Sequence, residues 1–151
     1  MGNLLSKLKS FFSSKEMEIV LVGLENSGKT TLSSQLSFGK PSNKGPTMGL
    51  DIRTFQKDKV TMKVWDIGGQ KQYRSEWGKY AIGSDAIIFV VDSSDFERVS
   101  LAKEELHKML DDKMLNGVPI LVVGNKIDVV GHLGQNDLIE SKSFYFFEQK
   151  K

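Results

Sequence analysis

The chain has 151 residues, 21 Lys and Arg against 19 Asp and Glu for a net charge of +2, and no cysteine. That length suits one domain with a core of its own. The near-balanced charge makes no case for nucleic acid, and the absent thiols exclude disulfides, Cys-based zinc and a cysteine nucleophile. No apolar run is long enough to span a bilayer. Leu4 to Phe12 is broken by Lys7 and Lys9, so no signal peptide is expected and a cytoplasmic chain is the default.

Residues 1–16 read as an N-terminal arm. Met1-Gly2-Asn3-Leu4-Leu5-Ser6 fits the acceptor pattern for a myristoyl chain on Gly2. Leu4, Leu5, Leu8, Phe11 and Phe12 fall on one helical face, and Lys7, Lys9 and several serines take much of the other. Two readings stand. One is a helix lying in a membrane interface, where it would reinforce a single, marginal acyl anchor. The other is a helix packed on the domain, with an incidental Gly2.

Residues 17–140 carry the main domain. Glu18 to Val22 reads as a buried strand, and Thr30 to Phe38 as a helix. Between them, Gly23-Leu24-Glu25-Asn26-Ser27-Gly28-Lys29-Thr30 fits G-x-x-x-x-G-K-[ST], the phosphate-binding loop. At average composition a chain this long matches that pattern by chance roughly once in two hundred, and the flanking strand and helix lower those odds. Backbone N–H groups and the helix dipole make such a loop a phosphate cradle. Gly23, Glu25, Asn26, Ser27, Gly28, Lys29, Thr30 and Thr31 are therefore candidate nucleotide contacts. Lys29 is expected to reach the β- and γ-phosphates, and the Thr30 hydroxyl to ligate Mg²⁺.

Gly39 to Pro46 reads as loop. Leu50 to Phe55 and Val60 to Ile67 alternate apolar and polar residues. The short link Gln56-Lys57-Asp58-Lys59 predicts an antiparallel hairpin. Asp66-Ile67-Gly68-Gly69-Gln70 ends the second strand. Asp66 is placed to help organise Mg²⁺, and the glycines let backbone approach a γ-phosphate. A short helix is expected over Tyr73 to Tyr80, a buried strand over Ala86 to Val91, and an amphipathic helix over Phe96 to Leu110. That helix has Val99, Leu101, Ala102, Leu106, Met109 and Leu110 inward and Asp95 as its cap. His107 and His132 read as solvated. Pro119 to Gly124 is the next buried strand and runs into Asn125-Lys126-Ile127-Asp128; a short helix over Asn136 to Glu140 follows. Strands alternating with helices imply an α/β P-loop fold, a mostly parallel central sheet covered on both faces with one antiparallel hairpin strand. The phosphate loop, Asp66 and Asn125 to Asp128 all fall beyond the carboxyl edge of that sheet, where such folds bind ligands.

Together these residues resemble a small GTPase of the Arf/Arf-like family. The matching runs are the phosphate loop, Pro46-Thr47-Met48-Gly49, Trp65-Asp66-Ile67-Gly68-Gly69-Gln70, and Asn125-Lys126-Ile127-Asp128. Val91-Asp92-Ser93 and Glu97-Arg98-Val99 also read as the family does. The resemblance implies GTP/GDP and Mg²⁺ as ligands. It implies that Thr47 completes the Mg²⁺ shell beside Thr30, that Gly69 offers its N–H to the γ-phosphate, and that catalytic Gln70 positions the attacking water. It implies that Asn125 and Asp128 read guanine beneath the Lys126 stem. A carboxylate accepts from guanine N1–H and N2–H₂ together, a pair adenine lacks. No arginine matches a finger in cis, so hydrolysis is expected to be slow and to need a GAP. The resemblance also implies exchange-factor and effector partners, a monomer, and reversible attachment to the cytoplasmic face of Golgi, endosomal or lysosomal-type membranes. Attachment would follow a register shift of the Leu50–Val64 hairpin that evicts the arm. Trp65, Trp77 and Tyr80 then line either the effector surface or the core, and Leu50 stands where many members carry an aromatic.

The likeness stops near Asp128. The family's last strand, its Ser/Cys-Ala-Lys/Thr-like loop and its final helix have no counterpart, and residues 141–151 form an atypical tail with Phe144-Tyr145-Phe146-Phe147 at its centre. The tail reads as a makeshift edge strand or as a foreign ending from truncation or splicing, and incomplete C-terminal packing is expected. Two further functions compete with the switch. One is a truncated, nucleotide-poor relative acting only through partner or membrane contacts; the other is a nucleotide kinase or ATPase, disfavoured by Asn125-Lys126-Ile127-Asp128.

Overall fold

The computed structural model describes residues 16–40, 45–57 and 59–140. The arm with Gly2 and the aromatic tail lie outside these residues. The elements are β1 (Glu16–Val22), α1 (Lys29–Phe38), β2 (Leu50–Lys57), β3 (Val60–Ile67), α2 (Lys71–Arg74), α3 (Trp77–Ala81), β4 (Ala86–Asp92), α4 (Phe96–Asp111), a 3₁₀ turn (Lys113–Leu115), β5 (Ile120–Asn125) and α5 (Gln135–Glu140). The sheet order is β2-β3-β1-β4-β5. Only β2 runs antiparallel to its neighbour. The chain crosses from β3 on one side of β1 to β4 on the other, and this reversal opens a crevice beyond the carboxyl end of β1.

Both faces of the central strands are apolar, so successive side chains serve two cores. Val20, Val22, Ile87, Phe89 and Val91 pack with Trp77, Val99, Ala102, Leu106 and Met109 on the α3–α4 side. Ile19, Leu21, Met62, Val64, Ile88 and Val90 pack with Leu32 and Leu36 of α1 on the other. Asp95 caps α4 as expected, accepting from the Arg98 N–H at 3.2 Å.

Several local expectations change. The stretch Tyr73 to Tyr80 is two short helices, because the Glu76 N–H bonds to the Tyr73 carbonyl three residues back, and that tightened turn interrupts α-helical pairing. Gln56 and Lys57 belong to β2, paired with Thr61 and Val60, so the hairpin connection shrinks to positions 58 and 59. Trp77 is core: it is 1% exposed, edge-on to Phe89, with its indole N–H donating to the Gly68 carbonyl at 3.1 Å. Trp65 and Tyr80 remain at the surface, their rings 5.9 Å apart. His107 is half-buried on α4 rather than solvated, and so is His132. Arg53 breaks the expected polar-outward pattern of β2. Its guanidinium is largely buried, on Asp51 and Ser34 and over the Phe38 ring.

Candidate functional site

The phosphate loop turns sharply from β1 into α1. Gly28 has φ 94°, and a Cβ there would lie 2.2 Å from Asn125 Nδ2, so glycine is required both for conformation and for room. The Lys29 side chain folds back over the loop, donating to the carbonyls of Gly23 at 2.9 Å and Leu24 at 2.8 Å. Lys29 as a whole residue is 5% exposed. Burial lowers its pKa to about 8, against the opposing pull of Asp66 and Glu25. A cation at this position gains from any anion that enters.

Three oxygen-bearing side chains meet at the head of α1. Thr30 Oγ1 donates to Asp66 Oδ2 at 2.6 Å and lies 2.7 Å from Thr47 Oγ1. Asp66 is fully buried, and its Oδ1 has no hydrogen-bond partner among the described residues. Burial raises its pKa, and the Thr30 hydroxyl and the Lys29 charge only partly offset this. An orphaned carboxylate oxygen is costly unless something pairs with it. Two hydroxyls beside one carboxylate form a hard-oxygen set of the kind Mg²⁺ accepts when water and phosphate complete its shell. Thr30, Thr47 and Asp66 therefore fit that ion. Among the described residues no group of three His, Cys, Asp or Glu side chains offers another metal site.

Thr47 reaches this corner because β2 pairs Leu50 with Ile67, after which the Gly68 N–H donates to the Gly49 carbonyl at 2.7 Å. Gly69 lies directly on the phosphate loop: a Cβ would come within 2.4 Å of the Glu25 nitrogen and 2.5 Å of the Gly23 carbonyl oxygen. No other residue fits there without moving backbone. In front lies a cleft of about 440 Å³ lined by Glu25, Asn26, Gly28, Lys29, Thr30, Thr31, Gly45, Pro46, Thr47, Gly69 and Gln70. Its volume lies within the range of small-molecule sites. Gln70 stands at the rim with its side-chain oxygen 3.3 Å from Gln72 Nε2.

The remaining expected site residues divide. Gly23, Ser27 and Asp66 stand behind the cleft wall, with the Ser27 hydroxyl 1% exposed. Asn125 is tied to the phosphate loop by donating to the Ser27 carbonyl at 2.9 Å. Lys126, with φ 61°, pairs with Asp92 Oδ2 at 2.7 Å. Asp128 is exposed and outside the cleft lining.

Sequence reasoning gave no role to three residues near the site. Asp92 fixes Lys126, and although burial alone would raise the Asp92 pKa, Lys126 and Ser94 hold it below the usual range. Arg74 and Arg98 share the Glu25 carboxylate, at 3.2 and 3.1 Å. Burial alone would raise Glu25, but its own backbone N–H and the two guanidiniums hold it low. The runs Val91-Asp92-Ser93 and Glu97-Arg98-Val99 are the sequence signals, and neither points to a partner.

Comparison with known proteins agrees with this geometry. The profile of the ADP-ribosylation factor (Arf) family matches residues 1–150. ADP-ribosylation factor-like protein 8b of Arabidopsis thaliana is 44% identical over 138 residues, covering 91% of this chain and 75% of the relative. Among solved structures, the Arl6 (BBS3) small GTPase of Trypanosoma brucei, with bound nucleotide analogue GppNp, superposes with a TM-score of 0.75 at 38% identity. That match covers 83% of this chain and 76% of the other. The chain belongs to the Arf family of small GTPases, whose members generally bind guanine nucleotide with Mg²⁺ and hydrolyse GTP.

Proposed function

We propose that this chain is a GTP-operated switch that hydrolyses GTP slowly and couples nucleotide state to membrane attachment and effector binding. The observation that carries this reading is the corner of Thr30, Thr47 and the unpaired Asp66 Oδ1 beside the buried Lys29 amine. These groups match a polyphosphate with its divalent ion at one end of the cleft. Mg²⁺, when bound, supplies charge neutralisation of the β- and γ-phosphate oxygens. Lys29 exchanges its two loop carbonyls for phosphate oxygens. Loop N–H groups from Glu25 to Thr31 and the amino end of α1 cradle the phosphates. Gly69 offers its N–H to the terminal phosphate, and Gln70 orients the attacking water. Asn125 and Asp128 select guanine, with Lys126 laid along the base and held by Asp92. Both nearby arginines are engaged by Glu25, which supports slow intrinsic hydrolysis and a need for charge from a GAP.

The Thr47 placement depends on the β2–β3 register, and register is a discrete two-state variable. A shift of β2 withdraws Thr47 from Thr30, which supplies the coupling to the N-terminal arm and Gly2, both outside the described residues. No described helix is long and apolar enough to cross a membrane. Attachment in this reading is reversible and runs through the arm, at Golgi, endosomal or lysosomal-type surfaces. An exchange factor and effectors act on the same surfaces, and half-buried Trp65 with exposed Tyr80 contributes an aromatic pair. The deciding experiment is nucleotide content. Chain purified with Mg²⁺ and then denatured should release GDP or GTP on anion exchange, and the Lys29→Ala variant should release none. Wild-type chain free of guanine nucleotide, and unable to take it up, would leave the nucleotide-poor interaction protein as the better reading.

A further inference from the structure

The loop carrying Gly69 and Gln70 is held by two side chains from the helices that follow it. Trp77 Nε1 donates to the Gly68 carbonyl at 3.1 Å, and Arg74 Nε donates to the Gly69 carbonyl at 3.1 Å. In a trans peptide the N–H points opposite the carbonyl. Trp77 thereby sets the direction of the Gly69 N–H, and Arg74 sets the plane of the peptide that begins Gln70. Arg74 does not act alone. Its Nη2 reaches Glu25 Oε2 at 3.2 Å, while Arg98 Nη1 of α4 holds Glu25 Oε1 at 3.1 Å. The Arg74 side chain is 11% exposed, so its fork spans the phosphate loop and the Gly69 carbonyl in a shielded position. A planar guanidinium with both bonds made is locked in orientation, which a flexible ammonium would not be.

We infer that Arg74, anchored on Glu25, is a positioning residue for Gln70: it fixes the Gly69–Gln70 peptide so that the glutamine side chain is presented to the attacking water. The assignment rests on the proposed GTPase reading of the cleft. Arg74 is not among the residues lining the cleft, and its Nε and Nη2 are directed to the Gly69 carbonyl and Glu25 rather than to the phosphates. Its effect therefore falls on the hydrolytic step rather than on nucleotide affinity. Arg98 holds the second oxygen of the Glu25 carboxylate and so keeps it paired with Arg74.

The test is single-turnover GTP hydrolysis by the whole chain with Mg²⁺, beside GTP and GDP affinities measured with fluorescent analogues. Arg74→Ala is expected to slow hydrolysis about tenfold, the scale of one lost charge-assisted bond, with both affinities within about twofold of wild type. In a Gln70→Leu background it should add less than about twofold, because the group it positions is gone. Arg74→Lys, which keeps charge without the fork, should lose about threefold, and Glu25→Gln a similar amount. Wild-type hydrolysis by Arg74→Ala overturns the inference and leaves the GTPase reading intact. So does a fall in affinity and rate by the same factor, or an equal loss with and without Gln70. If Arg74→Ala does not fold, unchanged rates in both Arg74→Lys and Glu25→Gln overturn it. A wild-type chain that binds no guanine nucleotide removes the GTPase reading, and this inference goes with it.

Discussion

The two ends of the proposed nucleotide site are built differently. At the phosphate end, Lys29, Asp66 and Ser27 are buried; Lys29 is bonded to the Gly23 and Leu24 carbonyls, and Thr30 joins Thr47 and Asp66, all at 2.6 to 2.9 Å. At the base end, Asn125 and Lys126 are half-buried, their side chains held by Ser27 and Asp92 respectively, and Asp128 is exposed. The first end is tied together by the protein's own groups. The second is a short segment leaving an edge strand. Preorganised charge confers affinity, and a few placed acceptors confer discrimination, so grip and reading are separate properties of this site.

The largest break in that comparison is expected from Lys29→Ala. It removes the single buried cation that meets the phosphates, and loss of several charge-assisted bonds should weaken GDP and GTP by about a hundredfold or more. Titration with a fluorescent guanine nucleotide reads this directly. Asp128→Ala should cost less, about ten- to a hundredfold, and should do so for guanine nucleotides only. ADP, which gains nothing from that carboxylate, should bind with unchanged weakness. Because Asp128 is exposed, the ligand-free melting temperature should hardly move. A uniform loss across both bases would contradict the separation of grip from reading.

Proton linkage sharpens the same contrast. Lys29 titrates near 8 in the folded chain against 10.5 unfolded. Between those values the unfolded chain binds more protons, so ligand-free stability should rise with pH from about 8 to 10.5, by at most about 3 kcal/mol from this group. Below pH 8 the contribution is flat. Lys29→Met should remove the rise in urea melts across that window. Bound phosphate favours the charged amine, so nucleotide binding at pH 9 should take up protons, visible as a buffer-dependent heat in calorimetry.

What could be read from sequence follows the same division. The phosphate loop, the apolar strand Ala86 to Val91 and the amphipathic α4 with its Asp95 cap are local patterns, each complete within a few residues. The groups that escaped notice have partners far along the chain: Arg74 and Glu25 are 49 residues apart, and Arg98 and Glu25 are 73 apart. Arg53 alternates like a solvent-facing residue, and its burial is made tolerable by the Asp51 carboxylate together with contacts to Ser34 and Phe38 of α1. Trp77 sits among Ser75, Glu76, Gly78 and Lys79, which reads as surface. The Gly68 carbonyl and Phe89 ring that draw it inward lie on other elements.

The smallest effect concerns β5, which carries the base-reading segment. Ile87 to Val91 in β4 are at most 1% exposed, whereas Ile120, Leu121, Val122 and Val123, which pair with Ile87 to Val90, are only half-buried. Among the described residues β5 is an edge of the sheet. The aromatic residues Phe144 to Phe147 lie four to seven positions beyond α5, within an extended reach of about 25 Å of its end. Covering even one such side chain is worth about 1.5–3 kcal/mol at full burial. Deleting Ser141 to Lys151 should therefore lower the melting temperature by about 3–8 °C. It should also weaken guanine binding a few-fold through the Asn125 segment, and leave the Lys29 pH dependence unchanged. A deletion that changed none of these would mean that β5 holds its register without the tail, and that the softness of the base end is intrinsic to an edge strand rather than a matter of cover.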